Sequence, residues 1–202
     1  MKITHRLLIA VSTLLGGLSF FASAATVLPL NIQSLHQQAE VVFLAEAVAN
    51  RVEQEVSTGL VVTYTTFNVV ESLKGNVEDT HTIKQIGGQL AGDQTGLKVP
   101  GVPSFRRGER YVVFLPKVSK IGFSSPVGLS QGQFTLSKTG DVEMVGNGRD
   151  FEELMEGMPL EAMPANVKAA MDAMPEKTAT NGLRRSKMSL GNFMQLIKSM
   201  DK

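Results

Sequence analysis

Hydrophobic and polar positions change rhythm twice along this chain, and each change marks a boundary. Residues 7–21 form an apolar run diluted only by Ser12, Thr13, Gly16, Gly17 and Ser19. Between residues 40 and 145 the apolar positions come instead in short bursts that often alternate, the period at which successive side chains of a strand face opposite ways. Residues 40–50 (EVVFLAEAVAN) open with apolar residues on both faces and then alternate, predicting a strand buried in its first half, with a helix as the alternative. Residues 60–70 (LVVTYTTFNVV) are almost wholly β-branched or aromatic and give the clearest strand, stopped by turn chemistry at 72–76 (SLKGN). Residues 51–59 separate these two strands, which predicts a hairpin. Residues 80–86 (THTIKQI) alternate into Gly87-Gly88, and residues 110–115 (RYVVFL) run from Arg107-Gly108 to Pro116. A last hairpin is predicted from residues 133–137 and 142–145, joined across Lys138-Thr139-Gly140-Asp141.

Beyond residue 144 the composition shifts. Every methionine except the initiator lies at or after Met144, whereas eight of the ten Phe and both Tyr come earlier. Residues 165–174 follow Pro164 and predict a short helix ended by Pro175. Residues 176–187 are mostly polar and read as linker. Leu190, Phe193, Met194 and Ile197 then fall at i, i+3, i+4 and i+7, one apolar helix stripe with Ser189 as its N-cap. The expected architecture is mainly β: an OB-like, partly open barrel of five or six strands over residues 30–147, followed by a Met-rich helical tail over residues 148–202. Residues 87–108, with six glycines and with Pro100 and Pro103, interrupt this plan. Structureless connections of that length are uncommon in compact domains, and 97–99 offers a short strand within it.

The opening run carries an address. Lys2, His5 and Arg6 precede the apolar stretch, and Ala22-Ser23-Ala24 follows it with the small-x-small pattern of a signal peptidase site. Residues 1–24 are expected to be a cleavable signal peptide, with cleavage after Ala24 or, as the alternative, Ala25. The run is shorter than the roughly 20 residues that cross a bilayer. Cleavage removes two of the 20 basic residues and none of the 19 acidic ones, turning a formal +1 into −1. A near-neutral exported protein has no general attraction to nucleic acid or to an anionic membrane. The chain has no cysteine, so its stability must come from packing rather than disulfides.

Candidate chemistry is sparse. Gly128-Leu129-Ser130-Gln131-Gly132 matches the G-x-S-x-G nucleophile pattern, but that mechanism needs a strand-turn-helix context, and a strand-like run follows Ser130. His36 and His81 are the only histidines after residue 24, and no zinc motif contains them. His36 sits in a Gln-rich lead-in, and His81 is expected as an edge-strand imidazole in solvent. Met155, Met158 and Met163, with Met171 and Met174, include two M-x-x-M spacings; these can bind Cu(I), but their expected role is apolar packing. Phe105, Arg106, Arg107 and Arg110 cluster beside Glu109, a basic and aromatic corner able to hold acidic or sugar ligands.

The blocks 39–48 (AEVVFLAEAV), 64–70 running into Leu73-Lys74-Gly75, and 108–115 (GERYVVFL), with the Gly/Pro-rich loop and the G-L-S-Q-G-x-F turn, are similar to an uncharacterised group of exported bacterial proteins. More distantly, these blocks resemble the netrin-like domains of tissue metalloprotease inhibitors. That second resemblance implies an OB-type barrel and chelation of a protease zinc through an N-terminal cysteine; with no cysteine here, neither the chelating group nor the disulfide frame carries over. The functional expectation is a non-enzymatic, cofactor-free binding or interaction module, periplasmic or secreted. Its contact surface is the 87–108 loop with Phe105, Arg106, Arg107 and Arg110, and its partner is an exported protein such as a protease. Nucleic acid and membrane insertion after cleavage are not expected. The alternatives are inhibition of an extracellular metalloprotease, and a serine hydrolase using Ser130.

Overall fold

The computed structural model describes residues 28–92, 96–174 and 186–201. The expected signal peptide, Pro175 and most of the expected linker lie outside the described residues. Seven strands form one antiparallel sheet: β1 (Val41–Gln54), β2 (Val61–Lys74), β3 (Thr80–Ile86), β4 (Arg110–Leu115), β5 (Gln133–Thr139), β6 (Val142–Gly146) and β7 (Met188–Ser189). Their order is β3-β2-β1-β4-β5-β6-β7. The protein is therefore mainly β with a C-terminal helix, as the patterning predicts, but the sheet has seven strands rather than the expected five or six and is open, not closed into a barrel. Among the described residues four helices accompany it: α1 (Ile32–Gln38), α2 (Phe151–Leu154), α3 (Ala165–Asp172) and α4 (Leu190–Ser199). Among the described residues no helix is long and apolar enough to cross a membrane.

The two sheet faces bury different clusters. On one, Val42, Leu44, Val112, Phe114, Phe134 and Val145 meet Ile32 and Leu35 of α1, Phe151 and Leu154 of α2, Val167 of α3, and the apolar stripe of α4. On the other, Phe43, Ala45, Ala47, Phe67, Ile83, Tyr111, Val113 and Leu115 enclose Phe105. Strand β4 contributes to both clusters, which is why residues 111–115 are all buried. Ile83 of β3 and Tyr111 of β4, with two strands between them, belong to this one cluster, so it runs across four strands. The segment after β4 turns back toward the free edge of β3, where the Ser124 amide donates to the Lys84 carbonyl at 3.0 Å. Lys84 Nζ, in turn, sits 4.5 Å over the Phe123 ring and 2.8 Å from Glu55 Oε1. An otherwise bare strand edge is thereby partly covered.

Two further expectations are corrected by this architecture. Residues 51–54 are strand rather than loop: the β1–β2 ribbon continues to the Gln54↔Val61 pair, and Arg51 lies over the Tyr64 ring at 4.5 Å. Its polar composition suits a ribbon exposed to solvent. The Gln-rich lead-in is helix α1, capped by the Asn31 side chain, which accepts from the Ser34 amide at 2.8 Å. Lys74 Nζ donates to the carbonyls of His36 (2.6 Å) and Ala39 (2.8 Å), satisfying the far end of the helix with a cation from β2.

His36, only 5% exposed, has Nε2 at 3.1 Å from Asp201 Oδ1. Burial and then the nearby Lys74 ammonium push its pKa below 6.5, outweighing the opposing pull of Asp201. His81 is pushed down as well, by burial, against the pull of Glu78. An unfolded chain takes up these protons first, so the stability contribution is complete above about pH 6.5 and declines as pH falls through that value toward the folded pKa values. The melting temperature is expected to drop between pH 7 and pH 5, above the range in which Glu55, whose pKa is lowered by its hydrogen bond to Lys84, begins to titrate. His36→Gln should flatten the drop, and an unchanged slope would refute the assignment.

Candidate functional site

Strand alternation and one bulge assemble the site. From Phe43 to Ala47, odd-numbered residues of β1 face the cluster around Phe105. The pairing then slips between Ala47 and Ala49, leaving β1 one residue ahead. A one-residue slip exchanges the faces. Asn50 and Val52 therefore lie opposite Thr65 and Thr63, which pair in turn with Ile83 and Gln85. The result is two cross-strand rows, Asn50-Thr65-Ile83 and Val52-Thr63-Gln85, continuing the face that carries Phe67.

Residues 87–92 and 96–108 of the loop arch over these rows. Its first turn needs Gly87 and Gly88, at φ of +96° and +135°, and Gly88 exchanges backbone hydrogen bonds with Leu97 at 2.8 and 2.7 Å. The expected strand at residues 97–99 is thus reduced to a single bridge. Three floor side chains hold the loop by its carbonyls: Thr63 Oγ1 donates to Gly87 O (2.6 Å), Gln85 Nε2 to Pro103 O (3.2 Å) and Asn50 Nδ2 to Phe105 O (2.7 Å). Between floor and loop lies a cleft of about 450 Å³, walled on the loop side by Leu97, Val99, Val102, Pro103 and Phe105.

Thr65 is the exception on this floor. It is 1% exposed, lines the cleft, and its Oγ1 has no hydrogen-bond partner. An unpartnered buried hydroxyl costs stability, whereas one that holds a carbonyl does not. Thr65→Val should raise the unfolding free energy by about 1 kcal/mol, and Thr63→Val, which orphans the Gly87 carbonyl, should lower it by about as much. Denaturant midpoints measured on both variants check the contrast; equal signs would contradict it.

The residues singled out from sequence do not converge. Phe105 is core: 4% exposed, its ring meets Phe67 edge-on at 4.9 Å and Tyr111 at 5.0 Å. Tyr111 Oη accepts from the Arg106 amide at 2.9 Å and donates to Glu109 Oε2 at 2.7 Å. Burial foremost, with the Glu109 carboxylate adding to it, pushes that phenol up to about 12. Arg110 forms an ion pair with Glu143 of β6. Arg106 and Arg107 remain exposed, Arg106 facing Glu109 at 3.5 Å in an arrangement worth little in water.

Ser130 sits in a one-turn 3-10 helix, Leu129–Gly132, that passes directly into β5, as the sequence context predicts. The shallow pocket beside it, lined by Pro29, Gly101, Gln131 and Arg149 among others, contains no histidine and no carboxylate. The turn instead ties down the segment leading into α1, because Gln131 accepts from the Leu30 amide (2.8 Å) and donates to Leu28 O (3.0 Å). His81 packs against Phe43, with ring centroids 5.4 Å apart, rather than standing in solvent. Met155 and Met158 are buried in the helix-side cluster, and Met163, Met171 and Met174 pack against it.

The cleft escaped sequence reading because its polar members are scattered over two strands and the end of a third. One signal was present: Thr63, Thr65 and Gln85 occupy positions at which alternation places the inward face, beside Gly87-Gly88. Comparison with known proteins adds no assignment: no protein-family model matches the chain, and no curated protein matches it significantly.

Proposed function

We propose that this protein is an exported, non-enzymatic binding module that takes a small molecule into the cleft between β1-β2-β3 and the 87–108 loop. One observation carries the reading: a cleft of about 450 Å³ retains a buried hydroxyl, Thr65 Oγ1, without a partner inside the protein. Ligand sites commonly have this size and combine apolar walls with a few placed polar groups. Export is supported by the basic, apolar and small-x-small succession of residues 2–24. The reading moves the centre of binding away from the arginine corner, where Phe105 is in the core and Arg110 is paired with Glu143.

The test is an amide-resolved NMR titration of the chain lacking residues 1–24 with neutral, anionic and cationic fragments. Shifts are expected to gather at residues 50–52, 63–65, 85–88 and 97–105. Shifts confined to Arg106 and Arg107, or to the turn around Ser130, would overturn the assignment, as would none at all.

A further inference from the structure

The geometry points to the class of ligand: an uncharged molecule with an apolar body and one hydrogen-bonding group, seated with that group against Thr65. The inference rests on the cleft being a binding site and adds what it selects. Three of the four polar side chains on the floor, Asn50, Thr63 and Gln85, already hold loop carbonyls. Thr65 Oγ1 is the unpartnered one, and a hydroxyl can either donate or accept. Among the described lining residues only Lys98 is ionisable, and it is exposed. A charged group carried to the floor would lose its hydration without meeting an opposite charge, which strongly disfavours it. Val52, Ile86, Val99, Val102, Pro103 and Phe105 supply apolar contact along the remaining length.

A matched pair of fluorescent probes tests this. N-phenyl-1-naphthylamine is a neutral apolar skeleton with one N–H; 1-anilinonaphthalene-8-sulfonate is the same skeleton with an added anion. The neutral probe is expected to bind with a blue-shifted emission and at least about tenfold more tightly than the sulfonate. Thr65→Val should weaken the neutral probe roughly two- to tenfold while leaving the protein folded, and Thr65→Ser, which keeps the hydroxyl, should restore its affinity. Equal or tighter binding of the sulfonate, still reduced by Thr65→Val, overturns the uncharged class and leaves the cleft as the binding site. Neutral binding indifferent to Thr65→Val overturns the role of the hydroxyl. Binding of neither probe overturns the inference outright, and the fragment titration then decides whether the cleft binds anything.

Discussion

Phe193→Ala is expected to lower the unfolding free energy by about 3–5 kcal/mol, read as a shift in denaturant midpoint. Phe193 is fully buried, and its ring lies 4.8 Å from Phe134, 6.0 Å from Phe151 and 6.5 Å from Phe114. It therefore joins α4 to α2, β4 and β5 at one point. Truncation to Ala removes the whole ring and leaves a void among aromatic neighbours that the sheet cannot close. Phe193→Leu should cost distinctly less, because much of the volume remains. A loss below about 1 kcal/mol in Phe193→Ala would mean that α4 is a loosely docked appendage. The expectation is the reverse: β7 pairs with β6 through Met144↔Ser189 and Val145↔Met188, so the C-terminal segment completes both the sheet and its covering layer. The described helices of the Met-rich tail thus share one core with the strands, although the tail's composition differs sharply.

Strands bounded by glycine or proline were the most legible part of the fold. β3 and β4 run over residues 80–86 and 110–115 as the pattern predicts, because Gly87-Gly88, Gly108 and Pro116 punctuate them. Helix α4 was equally legible from its stripe and from Ser189, whose side chain accepts from the Asn192 amide. Helix α1 was not, since only Ile32 and Leu35 announce it and the cation that completes its end, Lys74, comes from β2. The far half of β1 was hidden for another reason: its pairing with β4 ends at Glu46, and residues 49–54 are all exposed or half-buried, so no strongly apolar face betrays it. At the site, charge drew attention to Arg106, Arg107 and Arg110. The cleft is built from neutral side chains whose proximity depends on pairing register and on a bulge, neither of which local composition encodes.

Gly88→Ala should damage both stability and binding, by a route that Gly59→Ala does not share. At φ of +135° an L side chain is strained, at about 1–3 kcal/mol. A Cβ at Gly88 would also approach Val52 Cγ1 to 2.7 Å and press on Thr63 Oγ1. Both neighbours are β-branched side chains held in the sheet, so they cannot swing aside cheaply, and overpacking of this kind adds about 1–3 kcal/mol. The chain must instead lift residues 87–88 off the floor, breaking the hydrogen bond from Thr63 to the Gly87 carbonyl and pulling at the bridge to Leu97. Gly59, at φ of +70° with nothing within 4 Å of its would-be Cβ, suffers backbone strain alone, so Gly59→Ala should cost about 1 kcal/mol and leave neutral-probe affinity unchanged. Gly88→Ala should unfold at distinctly lower denaturant and bind N-phenyl-1-naphthylamine more than about tenfold more weakly, since Val52, Thr63 and Gly87 all line the cleft. Matching probe affinities in the two variants would separate the loop's first turn from the binding site.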